Sequence, residues 1–369
     1  MMASYVSKVR QDISRWLAEG LIDAPTAQAL RNDIDSRAGG GFSFGGILAV
    51  LAALLLGAAI LIFVAANWLA FPRVARVGLL FAIILAAHAG GAFLKLVRRE
   101  AAGEAGFLIG GAAFGGSIAL IGQMYHLSGD EAQALLVWCA GVTVAAVILR
   151  SAASTVAAVV IAASWLWVEM WDFWSGADVP HEYLLVLAVL WAVSLWTGAR
   201  SARHLIVLSL VLYASLSYLH TEQLVIPVLL ALASTGLFLA ATFRPESIER
   251  FLRLGGGAQV HGLLGFVAGM SFVQFAVMDE PGFMLAALVT FGASIGALIL
   301  GGRESRMLRW LAYAVFGVEL CIVYVVTVGT MLGTAGFLIA TGALLAVLAF
   351  VITRFERRMK APAAQGGAA

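Results

Sequence analysis

Apolar residues fill most of this chain in stretches about twenty long, separated by short polar joints, and only the first 42 positions depart from that pattern. In residues 4–19, Val6, Val9, Ile13, Trp16 and Leu17 recur at helical spacing, with Lys8, Arg10, Asp12 and Arg15 elsewhere on the wheel. That periodicity predicts an amphipathic helix, stopped at Gly20. Asp23 as an N-cap and Pro25 in the first turn predict a second helix to about Ser36, with Ala27, Leu30 and Ile34 on one stripe. The pair makes a short helical hairpin, and Ala38 to Gly41 form a hinge after it.

Beyond the hinge the pattern predicts twelve spanning segments, at 43–66, 73–97, 104–125, 131–149, 151–170, 181–199, 203–219, 223–243, 259–278, 282–301, 307–328 and 331–353. The expected fold class is therefore all-α: a polytopic transmembrane helix bundle of about 12 spans behind a short cytosolic hairpin. Three regions follow, a hairpin over 1–42, a transmembrane domain over 43–360 and a small, uncharged, disordered tail over 361–369. Composition agrees, since 62% hydrophobic and 12% charged residues and a mean hydropathy of +0.96 lie outside the soluble range.

Charge fixes the expected orientation. All of the 23 Lys and Arg except Arg73 and Arg76 fall in alternate joints, and Asp130, Glu131, Asp172, Asp178, Glu182, Glu222, Asp279 and Glu280 fall in the others. Cytoplasmic loops hold the basic residues, so both termini are expected inside. Glycines four apart, at Gly106/Gly110, Gly111/Gly115, Gly265/Gly269, Gly292/Gly296 and Gly329/Gly333, predict close helix crossings. The inner joint after residue 244 is expected to carry a short amphipathic surface helix.

Two sets of residues are candidates for chemistry. The first is an outward-facing polar site built from the joints at 67–76 and 122–131: Asn67, Trp68, Arg73, Arg76, Gln123, Tyr125, His126 and Asp130. Gln123 and His126 share a helix face, His126 can carry a proton near neutral pH, and Asp130 also suits an N-cap, with Gly129 ending the helix before it. Two cations on the outer side call for a partner, and lipid phosphate or Asp130 and Glu131 would supply one. The second set is the ionisable groups at depth, His88, Glu169 and Glu319, which are expensive in hydrocarbon unless they face protein or water. Gly292-Ala293-Ser294-Ile295-Gly296 fits the nucleophile-elbow pattern, but mid-segment it reads as helix packing. No metal, phosphate-loop or nucleic-acid signature is present, no cofactor is expected, and the basic residues serve topology.

Gln123-Met124-Tyr125-His126-Leu127-Ser128-Gly129-Asp130, preceded by Ala112-Ala113-Phe114-Gly115-Gly116, resembles a bacterial family of predicted membrane proteins, the domain of unknown function numbered 2157. Trp16 with Gly20-Leu21-Ile22, and Asn67-Trp68, add to the likeness, which covers about residues 10–150. The resemblance implies a bacterial inner-membrane location and assigns no activity or ligand. Two functional classes stay open. One is a transporter-like protein, with an unknown small-molecule ligand; the other is a non-catalytic assembly or sensor component that docks a protein partner through its hairpin. An enzyme ranks third, because no nucleophile or metal cluster accompanies His126.

Overall fold

The structure, a computed structural model, describes residues 2–38, 44–66, 72–126, 130–171, 179–302 and 305–328, with 339, 342, 343 and 346, and all the regular elements among them are α-helices. In order these are α1 (Met2–Ala18), α2 (Ala24–Ala38), α3 (Phe44–Ala66), α4 (Arg73–Leu96), α5 (Glu100–Tyr125), α6 (Glu131–Leu149) and α7 (Ala152–Glu169). Then follow α8 (Glu182–Thr197), α9 (Arg200–Thr221), α10 (Val225–Phe243), α11 (Pro245–Leu252), α12 (Ala258–Ala276), α13 (Gly282–Gly301) and α14 (Arg306–Val328). Among the described residues, nine helices are long and apolar enough to cross a membrane: α4 to α7, α9, α10 and α12 to α14. At 16 residues α8 is apolar but shorter. Of the segment expected at 331–353 only residues 339, 342, 343 and 346 are described, and the tail, Asn67 and Trp68 lie outside the described residues. The chain divides into two compact units, Met1–Leu127 and Ser128–Ala369.

In the first unit, α1 and α2 meet through Ile13 and Ala27, both fully buried, and the Arg31 guanidinium donates to the Ser14 hydroxyl at 3.2 Å. Gly20, at a φ of +70°, turns the chain between them. Asp23 caps α2 as expected, accepting from the Thr26 N–H at 3.1 Å, and its bonds to Thr26 hold this carboxyl below its ordinary value. Leu30, expected on the buried stripe, is exposed instead. The packing stripe of α2 is thus narrower than the sequence period implied.

Small residues bring α4 and α5 together. A Cβ on Gly106 would lie 2.8 Å from the Gly91 Cα, and one on Gly91 would lie 2.8 Å from the Gly103 carbonyl oxygen. The expected crossing at Gly106/Gly110 is therefore present, with Gly91 as its counterpart. Without any hydrophobic gain between helices in lipid, such backbone approach supplies the dispersion energy that joins them.

In the second unit α6 to α9 share a core that includes Val142, Ala158, Leu166, Tyr183, Leu190 and Ile206. Arg150 ends α6 in the left-handed region, and its guanidinium lies 3.9 Å from the Trp196 ring centroid. Gly262, Gly265 and Gly269 seat α12 on α10 against Phe238, Ser234 and Ala231, so the expected Gly265/Gly269 crossing is also present. The Gly292/Gly296 expectation fails: a Cβ at either position would meet no atom of the described residues within 4 Å, so this stripe of α13 makes no close crossing with them. The surface helix expected in the joint after 244 is α11, which turns Ile248 and Leu252 toward Ala241, Leu254 and Ala258 and leaves Phe251 exposed.

Candidate functional site

The site starts from Glu319, a carboxyl in the apolar stretch of α14 that follows Arg306 and Arg309. It is only 4% exposed. Gln274 on α12 donates from its Nε2 to Glu319 Oε1 at 2.9 Å and to the Thr290 hydroxyl of α13 at 2.8 Å. Thr290 donates its own hydroxyl to the Ala286 carbonyl at 3.1 Å. Three helices thus contribute one polar group each to a single closed node, and among the described residues no cation joins it. Thr290 stands eight residues into α13, about 12 Å from the start of that helix at 1.5 Å per residue.

Apolar side chains close the node on both sides. Toward the turn between α12 and α13, Phe283, Ala287 and Val323 form one buried cluster. In the other direction Phe238, Val260, Leu263, Ala297, Leu308 and Ala312 form another. A polar group in such surroundings costs several kcal/mol if left unpaired, so the amide of Gln274 is what makes burial of the Glu319 carboxyl tolerable. Gln274 and Thr290 escaped the sequence reading, since single uncharged polar residues in apolar runs are ordinary.

His88 holds a separate position in the first unit. Its Nδ1 lies 2.8 Å from the Ile84 carbonyl, an acceptor, so Nδ1 is the donor of that bond. Nε2 is buried and finds no partner among the described residues. The ring stacks on Phe107, centroids 6.3 Å apart, and occupies the space that a Cβ on Gly110 would need. One turn or two along the same interface, Lys95 pairs with Glu104 at 2.6 Å and lies 5.4 Å from the Phe107 centroid. Glu169, the third ionisable group expected at depth, is the exposed last residue of α7.

The expected outer site divides. Arg73 opens α4 with its guanidinium 6.0 Å from the Tyr125 ring centroid, which brings the two joints of the first unit into contact. Arg76 is half-buried one turn further along α4. Gln123, Tyr125 and His126 are exposed while Met124 is buried. His126 is itself the C-cap of α5, at a φ of +50°, which corrects the expectation that Gly129 ends the helix and that His126 continues the face of Gln123. Asp130 caps α6, its carboxylate accepting from the Ala132 N–H at 2.9 Å.

A second polar junction, unread in the sequence, joins α9, α11 and α12. His204 Nδ1 and His261 Nε2 are 2.7 Å apart. Arg203, buried, donates to the carbonyls of Ser194 (2.9 Å) and Arg253 (3.2 Å). Glu249 accepts from the N–H groups of Gly255 (2.7 Å) and Gly256 (3.1 Å), both at positive φ. Burial alone would raise the Glu249 carboxyl, but the amides of Gly256 and Gly255, with Arg200 and Arg203 nearby, hold it below its ordinary value.

The helical, apolar architecture makes this a multi-pass membrane protein. No curated protein and no solved structure matches the chain. Residues 14–155 match the family described as predicted membrane protein, domain of unknown function 2157, the family that the stretch from Gln123 to Asp130 resembles.

Proposed function

We propose that the chain is a transporter-like protein of the bacterial inner membrane, in which Glu319 takes up and releases a proton in step with movement of α12 to α14. The observation that carries this is the node itself: a buried carboxyl with one amide donor and no cation among the described residues, sealed by apolar clusters on both sides. Intramembrane carboxyls face protein or water and mark ion and proton routes, and an occluded carboxyl is the resting form such a route requires. Alternation of basic joints supports twelve spans with both termini in the cytoplasm. In that orientation the node lies about 12 Å of helix from the outer end of α13, and Arg73, Tyr125, Gln123 and His126 belong to an outward-facing polar surface that receives a small ligand.

The test is proton entry into proteoliposomes under an imposed gradient, followed with an internal pH dye. Entry through the wild type that exceeds entry through Glu319→Gln supports the reading. Equal rates for wild type, variant and protein-free vesicles would refute it. A competing reading, a non-catalytic assembly component that docks a partner through residues 1–42, draws on Leu21 and Leu30, which are exposed on the hairpin. Co-purification of a partner that is lost on deleting those residues would favour it.

A further inference from the structure

In the second unit, α10, α12 and α13 leave a groove between them of about 470 Å³, whose walls include Val228, Leu232, Phe266, Met270, Ala293 and Gly296. That volume falls in the range of ordinary ligand pockets, roughly 300 to 1,000 Å³, yet the walls are almost wholly apolar. All three helices are long and apolar enough to span the bilayer, so the neighbouring medium is lipid. Along α10 the groove runs from Val228 to Leu239, about 17 Å at 1.5 Å per residue. This is close to half of a hydrocarbon core of roughly 30 Å, the depth of one leaflet.

The end of the groove at Leu239 and Leu300 is polar. Gln259 donates to the Thr242 hydroxyl at 3.1 Å and lies beside Gly301, so the last turns of α10 and α13 and the first of α12 meet there. Arg244 caps α10 at that end and is exposed. Arg309 lays its stem against Gly302, 3.1 Å from where a Cβ would stand. Neither guanidinium has an acidic partner among the described residues. An apolar channel one leaflet deep, ending in a hydrogen-bonding collar and two cations without an acidic partner among the described residues, matches an acyl chain with a phosphate at its head.

We propose that this groove binds one anionic phospholipid, its acyl chain along α10, α12 and α13 and its phosphate against Arg244 and Arg309. The site is independent of the Glu319 node and of any transport role. Gly296 explains why α13 carries glycine on a stripe that packs against no helix: the position leaves room for the chain.

Native mass spectrometry of the full-length protein, released from vesicles of phosphatidylglycerol and phosphatidylethanolamine in equal parts, tests this. One phosphatidylglycerol should stay bound in preference to phosphatidylethanolamine. Gly296→Trp fills the groove without meeting protein atoms at its Cβ, and should lower the bound fraction about tenfold. Leu288→Trp, on the exposed face of α13 away from the groove, should leave binding unchanged and controls for folding. Arg244→Ala with Arg309→Ala should abolish the preference for the anionic lipid. Retention of no lipid, equal retention by Gly296→Trp and wild type, or a dimer mass that Gly296→Trp alone removes would each overturn the proposal, the last by showing a second copy in the groove.

Discussion

Replacing Gln274 by Ala removes, among the described residues, the one side-chain donor that reaches Glu319 and the one that reaches Thr290. Both acceptors are buried, so each loses its partner without gaining bulk water, and an unmet buried polar group costs about 1–3 kcal/mol. Hydrogen bonds between membrane helices are weaker in net terms, averaging about 0.6 kcal/mol and reaching about 1.7, because the separated helices find other partners. The pairwise energy between Gln274 and Glu319 should therefore lie between about 0.6 and 1.7 kcal/mol, at the upper end given that Gln274 is 3% exposed. A double-mutant cycle with Gln274→Ala and Glu319→Ala, read by steric trapping in bicelles, measures it directly. Independent sites add to within about 0.3 kcal/mol, and additivity that close would refute the node as an energetic unit. Glu319→Gln keeps an acceptor at the same place and should stay within about 0.5 kcal/mol of wild type, separating loss of the proton from loss of the fold.

Gly110→Ala drives a methyl into the His88 ring and should cost about 1–3 kcal/mol; His88→Ala in the same chain should restore most of it, as thermal unfolding in micelles would show. Trp196→Ala removes the face that Arg150 covers and should cost about 0.5–2 kcal/mol beyond lost burial, an increment absent when the same change is made in an Arg150→Ala background. Glu249 stabilises the turn at Gly255 and Gly256 through a folded-state value below the ordinary 4.5. That contribution is complete above 4.5 and is lost as pH falls through the lowered value, so the protection of these two amides relative to their intrinsic exchange rate should fall only in acid in the wild type. In Glu249→Gln, exchange there should be fast even at neutral pH.

The all-helical, multi-pass character was legible, because length and apolarity decide it: α6 and α13 lie at the expected limits, whereas nine of the twelve expected segments are long enough among the described residues. Glu319 was legible as well, since a carboxylate in an apolar run stands out. Its partners were not. Gln274 lies 45 residues away, and nothing in the local pattern of α12 distinguishes it from a residue that faces a headgroup. Glycine spacing indicated Gly106 and Gly265 as crossing points but could not separate them from Gly296, because a four-residue stripe is the same whether a helix or open space lies opposite. His126 was read as part of a helix face, and its left-handed backbone ends α5 instead. That choice depends on how the chain leaves α5 more than on side-chain type.

The central claim is that the carboxyl of Glu319 exchanges a proton inside the bundle. Infrared difference spectra of the protein in bilayers, taken between acid and alkaline pH, measure this most directly. The account predicts a protonated-carboxyl band from a dry environment that titrates in the wild type and is missing in Glu319→Gln; an identical difference spectrum from the two proteins would contradict it.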